Sequence, residues 1–379
     1  MQLPHSDELN IGHLSRLFDN TTNCYKFFWF QAILRKLDGK NNRFSFDELI
    51  NEMIADAWYM VTEYHLRLGP LGITDNLEEA VKYIHEEYGF MSSEKREKII
   101  AFLQTTDDKC IAKYKADLTL NVPYRLQVPF YDEIKIERNM WNGSKKNLTD
   151  EINRQRRLIY YFDLIGGLNT KIEINGLWSE YLFKHKEILR GWAQFKLIQY
   201  LQNKNPSVPG IAEKIEAPAS RDIERVRKYW KLIVQINPSL KDIYGDVTLA
   251  DEIISVDHFV PWQYVAHDEL WNLHPTTRSI NSSKSNSLPS WNAYFRALGD
   301  IEYQAYNLRE KNEAVAHEFN KIAPYHLNNQ EIRNQLYSDG LDRNTFIERL
   351  EHVIKPVYES AKTLGFKEWI YEGSSNVIL

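Results

Sequence analysis

The chain has 379 residues, 43% hydrophobic and 26% charged, which excludes a disordered or fibrous polypeptide and, at about 150 residues per domain, supplies two or three cores. A formal net charge of −5 excludes a global positive field, so any nucleic-acid binding must use a local basic patch. Two cysteines, Cys24 and Cys110, are too few for a disulfide scaffold or a four-cysteine zinc site, and a reducing cytoplasm is the expected compartment.

In chain order, the opening residues carry neither a basic nor an apolar leader region, so no signal peptide is expected. The most apolar stretch, Phe27 to Leu34, is interrupted by Gln31 and closed by Arg35-Lys36, far short of the roughly 20 residues that span a bilayer. Helical spacing predicts helices over 23–37, 46–65, 76–88 and 93–103. The Phe27-Phe28-Trp29-Phe30 cluster reads as core, with an aromatic platform for bases as the alternative. Cys24 reads as a buried small hydrophobe, and Glu48, Glu52 and Asp56 as a solvated acidic face. Residues 118–136 are β-branched and aromatic, with Pro123 and Pro129, and predict short extended pieces; 142–147 reads as a linker. Further helices are expected over 177–201, 221–236, 291–322 and 344–364, the last kinked or broken at Pro356. Between them, residues 240–290 change character to short β-like runs and a Ser/Asn-rich segment. The expected fold is mainly α with a small α+β insert. Its regions are 1–150 for recognition or partner docking, 151–220 as connector, 221–300 around the insert, and 301–379 as a C-terminal helical region.

The insert contains Val256-Asp257-His258-Phe259-Val260-Pro261, then Trp271-Asn272-Leu273, Asn281-Ser282-Ser283-Lys284 and Leu288-Pro289-Ser290. In residue type and spacing this segment resembles the HNH, or ββα-metal, finger of homing endonucleases, bacterial restriction enzymes, colicin-type toxins and CRISPR RNA-guided nucleases. The Asp-His start and Pro-Ser end are most similar to the last group. The resemblance covers about 35 residues of the 379.

It implies a role for each position. Phosphodiester hydrolysis needs a base for the attacking water and positive charge for the phosphorane and departing oxygen. His258, with an ordinary pKa near 6.5, is the expected general base. Asp257, its neighbour on the strand and so expected on the opposite face, is an expected metal ligand, and Asn281 on the closing helix is the second. Asn272 is expected to pin the loop and orient His258. Lys284, one helical turn beyond Asn281, is expected to steady the substrate phosphate. Two hard oxygen ligands suit Mg²⁺, with Mn²⁺ as a substitute, better than Zn²⁺. Ser285 stands where some family members carry a second histidine, which favours this sparse site, and without paired cysteines no structural zinc is expected. His267 and His274, off the motif, are expected to be structural or exposed.

Local charge agrees with a DNA surface. Residues 221–231 hold Arg221, Arg225, Arg227, Lys228 and Lys231 against two acids, and residues 276–299 carry Arg278, Lys284 and Arg296 with no acid. The plainer reading is solvated helix faces. The resulting expectation is a metal-dependent HNH endonuclease acting on DNA in bacterial restriction or anti-phage defence. The alternative is a non-catalytic adaptor or DNA-binding subunit of a multi-protein complex. No Walker-type Gly-Lys-Ser/Thr loop is present, so any motor or sensor ATPase is a separate subunit. The apolar side of helix 344–364 offers either a homodimer contact or packing within the chain.

Overall fold

The computed structural model describes residues 2–70, 72–137, 140, 143–163, 166–216, 223–250 and 252–373. The fold is mainly α with small sheets, and the chain divides into two units: Met1–Pro206 with Ile211–Ala217, and Ser207–Gly210 with Pro218–Leu379.

In the first unit, helices Tyr25–Lys36, Phe46–Thr62, Asn76–Tyr88 and Arg96–Thr105 form where the apolar spacing is regular. Ser45 fixes the start of the second, its hydroxyl taking the Glu48 N–H while the Glu48 carboxylate takes the Ser45 N–H, a reciprocal cap. Phe27, Phe28, Trp29, Phe30 and Cys24 are all buried, so the aromatic cluster is core. Of the acidic face, Glu48 is half-exposed, but Glu52 and Asp56 are not solvated. Asp56 accepts from Arg35 at 2.8 Å and also pairs with Arg96, which binds Glu52 as well; burial raises the Asp56 carboxyl against the pull of both guanidiniums.

Residues 118–136 are helical rather than extended, in the short turns Val122–Arg125 and Val128–Ile134. Pro123 and Pro129 lie in their first turns, where the missing N–H costs nothing. The expected linker is taken up from Lys145 by the helix Lys145–Gln155, while Asn142 is outside the described residues. The helix expected over 177–201 is two, Gly176–Lys184 and Lys186–Lys204, parted at His185. Three short strands, β1 (Arg43–Ser45), β2 (Tyr160–Asp163) and β3 (Lys171–Ile174), form an antiparallel sheet in the order β1-β3-β2 that the sequence reading lacks.

The second unit is built around β4 (Ile254–His258) and β5 (Leu273–Thr277), an antiparallel pair in which Asp257 faces His274 and His258 faces Leu273. Pro275 is tolerated in β5 because both strands of a two-stranded ribbon are edges. Helix Glu224–Ile236 packs on this ribbon, the buried Trp230 indole N–H donating to the Leu273 carbonyl at 3.1 Å. The expected helix over 291–322 is broken at Asn312, whose side chain caps the helix Glu313–His326. Helix Arg343–Thr363 runs through Pro356 without a break. Its Phe346, Leu350, Ile354 and Ala361 join the unit's own core, and it crosses Trp291–Lys311 at Gly299, where a Cβ would come within 2.9 Å of Ile347. Finally β6 (Leu288–Pro289) pairs in parallel with β7 (Glu368–Trp369). Among the described residues no helix is long and apolar enough to cross a membrane.

Candidate active site

Thr277 ends β5 and, with its hydroxyl on the Ile280 N–H, caps the helix Arg278–Lys284. Two strands and this short helix therefore form a contiguous ββα unit. The Asn281 amide group donates to Ser255 Oγ at 2.9 Å and to the Val256 carbonyl at 3.2 Å, which seats the helix on β4. With its NH₂ so used, the Asn281 carbonyl oxygen is left for another partner. Asp257, His258, Asn281, Lys284 and Ser285 line one cleft of about 250 Å³. Asp257 and His258 meet in that cleft although they are consecutive strand residues, because His258 is the last residue of β4.

Asp257 is nearly buried and held twice. The Tyr244 hydroxyl donates to its Oδ2 at 2.8 Å, and the Lys284 ammonium lies 3.1–3.2 Å from both carboxylate oxygens. Lys284 also donates to the His258 carbonyl at 2.7 Å, and at 1% side-chain exposure its contacts are within the protein. Burial pushes its ammonium pKa down and Asp257 pulls it back up. Tyr244 is itself fixed by Asp242, which accepts from the Tyr244 and Gly245 N–H groups at 2.7 and 2.6 Å. Burial, then Asp257, drives the Tyr244 hydroxyl pKa up, so it remains a donor.

Asn272 is fully buried and closes the ribbon at the end where His258 pairs with Leu273. Its side chain takes the Val260 N–H at 2.8 Å and gives a hydrogen to the Val260 carbonyl at 2.9 Å, while its own carbonyl takes the Phe259 N–H. The chain leaving His258 is thereby clamped to the start of β5. His258 Nε2 lies 2.9 Å from Asp268 Oδ1.

Of the basic residues, Arg225, Lys228 and Arg278 are exposed and Arg227 is half-buried, bonded to Glu224 at 2.6 Å. Arg225 stacks on the Tyr325 ring at 4.2 Å. Ile223, just before the helix that carries Arg225, Arg227 and Lys228, lines the cleft, whereas Arg221 is outside the described residues. Tyr244, Asp242 and Asp268 are site residues the sequence reading missed. Only the chemistry of a carboxylate near a histidine would have flagged Asp268, and nothing in the sequence marks Tyr244.

His274 is fully buried beside the site, with neither ring nitrogen hydrogen-bonded; Asp257 Oδ2 is 3.7 Å away, too far for a bond. Burial pushes its pKa from 6.5 down to about 3, against the pull of Asp257. The unfolded chain therefore takes up a proton that the folded one refuses. The stability this group supports is complete above pH 6.5 and is lost as pH falls toward 3, with a slope of up to roughly 1.4 kcal/mol per pH unit. Urea melts between pH 7 and 4.5 should show a shallower acid limb for His274→Leu than for the wild type. Parallel limbs would contradict it.

A two-stranded ribbon closed by a helix, with an acid and a histidine at one strand end and an amide on the helix, is the ββα arrangement of a nuclease finger. The HNH endonuclease family matches residues 242–290, and this segment is an HNH endonuclease domain. No curated protein and no solved structure matches the chain.

Proposed function

We propose that the chain is a metal-dependent endonuclease that hydrolyses DNA phosphodiester bonds at the cleft between β4 and the helix Arg278–Lys284. The observation that carries this reading is the convergence of Asp257, His258 and Asn281 on one cleft. His258 takes the proton of a water molecule; the oxygen attacks phosphorus, and the bond to the 3′ oxygen breaks. The products are a 5′-phosphate and a 3′-hydroxyl.

The donor set fits a hard divalent cation. Asp257, whose carboxylate is also held by Tyr244 and Lys284, and the Asn281 carbonyl oxygen are two hard oxygen donors on one cleft. Such a sparse set, leaving room for water and phosphate, suits Mg²⁺ with Mn²⁺ in its place. When bound, the cation would neutralise charge on the phosphorane. Lys284 places a further positive charge behind Asp257, where it would add to the field on the substrate phosphate. Arg225, Arg227, Lys228 and Arg278 would track the flanking backbone. We place the activity in bacterial restriction or anti-phage defence in the cytoplasm, acting alone, as a homodimer, or with a separate ATPase or sensor subunit.

Supercoiled plasmid incubated with the purified protein tests this reading. With Mg²⁺, nicked circles should precede linear DNA, since one finger serves one strand; with EDTA nothing should be cut. Asn281→Ala should need more Mg²⁺ for the same rate, having lost one of two protein ligands. Undiminished cutting in EDTA, or intact plasmid with both Mg²⁺ and Mn²⁺, would overturn the proposal.

A further inference from the structure

His258 is gripped by a carboxylate that the Asp257…Asn272…Asn281 series does not include. Its Nε2 sits 2.9 Å from Asp268 Oδ1, with side-chain exposures of 7% for the histidine and 18% for the aspartate. Asp268 lies in the connection between β4 and β5, which is tied down from outside the matched segment. His326, at the end of the helix Glu313–His326, donates from Nδ1 to the Asp268 carbonyl at 2.6 Å. Asn328 donates its backbone N–H and its side-chain amide to the neighbouring Glu269 carboxylate, at 3.2 and 2.7 Å. On the other flank the Asn272 N–H donates to the Glu269 carbonyl at 3.0 Å.

We infer that Asp268 is the positioning residue of His258, itself held in place by His326 and by the Glu269–Asn328 pair. The inference rests on the reading of His258 as general base. A carboxylate only accepts hydrogen bonds, so the contact requires the proton on Nε2. The lone pair is then fixed on Nδ1, and a ring flip that would exchange the two nitrogens breaks the bond. A histidine held in one tautomer and one orientation keeps its lone pair on a single nitrogen, which is what a general base at this position requires. The same logic governs the aspartate of serine-protease triads, where the wrong tautomer is severely damaging.

The test compares wild type, Asp268→Ala, Asp268→Asn and His258→Ala on supercoiled plasmid under single-turnover conditions, with DNA affinity measured separately. A further readout is ¹⁵N NMR of the histidine rings. Asp268→Asn keeps the size of the side chain and guards against misfolding. Its amide can donate to Nε2 and so favours the Nδ1–H tautomer. Both Asp268 variants should cleave about 10–100-fold more slowly, the usual worth of a supporting partner of this kind, with unchanged DNA affinity. The His258 resonances should show the Nε2–H form in wild type and lose that preference in both variants. If His258→Ala is inactive while both Asp268 variants cut at the wild-type rate with the wild-type tautomer, the positioning role is refuted. If His258→Ala cuts normally, the general-base reading falls instead, and a tautomer unchanged in the variants would then dispose of the Asp268 contact too.

Discussion

His258→Ala is expected to slow plasmid cleavage by about two to four orders of magnitude, the usual contribution of a positioned general base. The fold should survive. The ring is nearly buried, yet Phe259, Val260 and Leu273 around it are anchored by backbone bonds and by Asn272, none of which uses the imidazole. Asp257, Asn281 and the exposed Arg278 remain, so DNA affinity should stay close to wild type. Gel-based cleavage rates, filter binding and a thermal melt on the same preparation separate the three quantities. A variant that cuts as fast as wild type excludes His258 as the base. One that fails to bind DNA assigns the residue to recognition.

Lys284→Met should be the most destabilising change at the site. The ammonium is the only cation paired with Asp257 among the described residues, His274 at 3.7 Å being uncharged, and it also satisfies the His258 carbonyl. Removing it strands a nearly buried carboxylate on the Tyr244 hydroxyl alone, a situation that costs about 3–5 kcal/mol. The double variant Asp257→Asn/Lys284→Met should regain much of that loss, because the stranded charge goes with it. Chemical denaturation of the two single variants and the pair measures the coupling directly. If Lys284→Met unfolds at the wild-type midpoint, the buried ion pair does not contribute to stability.

The motif residues were legible because the ββα unit is contiguous: β4, β5 and the helix Arg278–Lys284 lie within 31 residues, so chain spacing translates into spatial spacing. Asp268 lies inside that same window and was missed, since it belongs to an irregular connection where no periodicity assigns a direction to a side chain. Tyr244, His326 and Asn328 reach the site only through tertiary packing. The long helices were legible from their apolar stripes. The first unit's sheet was not, because strands of three or four residues drawn from positions 43, 160 and 171 carry too little alternation to register. Residues 118–136 misled for a different reason: β-branched composition and proline suit a strand, but proline suits the first turn of a helix equally well. Glu52 and Asp56 misled because their partners Arg35 and Arg96 lie on other helices.

The parallel pairing of Leu288–Pro289 with Glu368–Trp369 bears on how the protein is made. Trp369 stacks edge-on against Tyr244 at 5.1 Å, and Tyr244 holds Asp257. The support for a carboxylate encoded at position 257 thus arrives 112 residues later in synthesis. At about 5–20 residues per second a ribosome needs roughly 6–22 s to cover that distance. Throughout that interval the nascent finger lacks the ring that packs against Tyr244, so the hydroxyl that holds Asp257 is without one of its aromatic neighbours until Trp369 has been added.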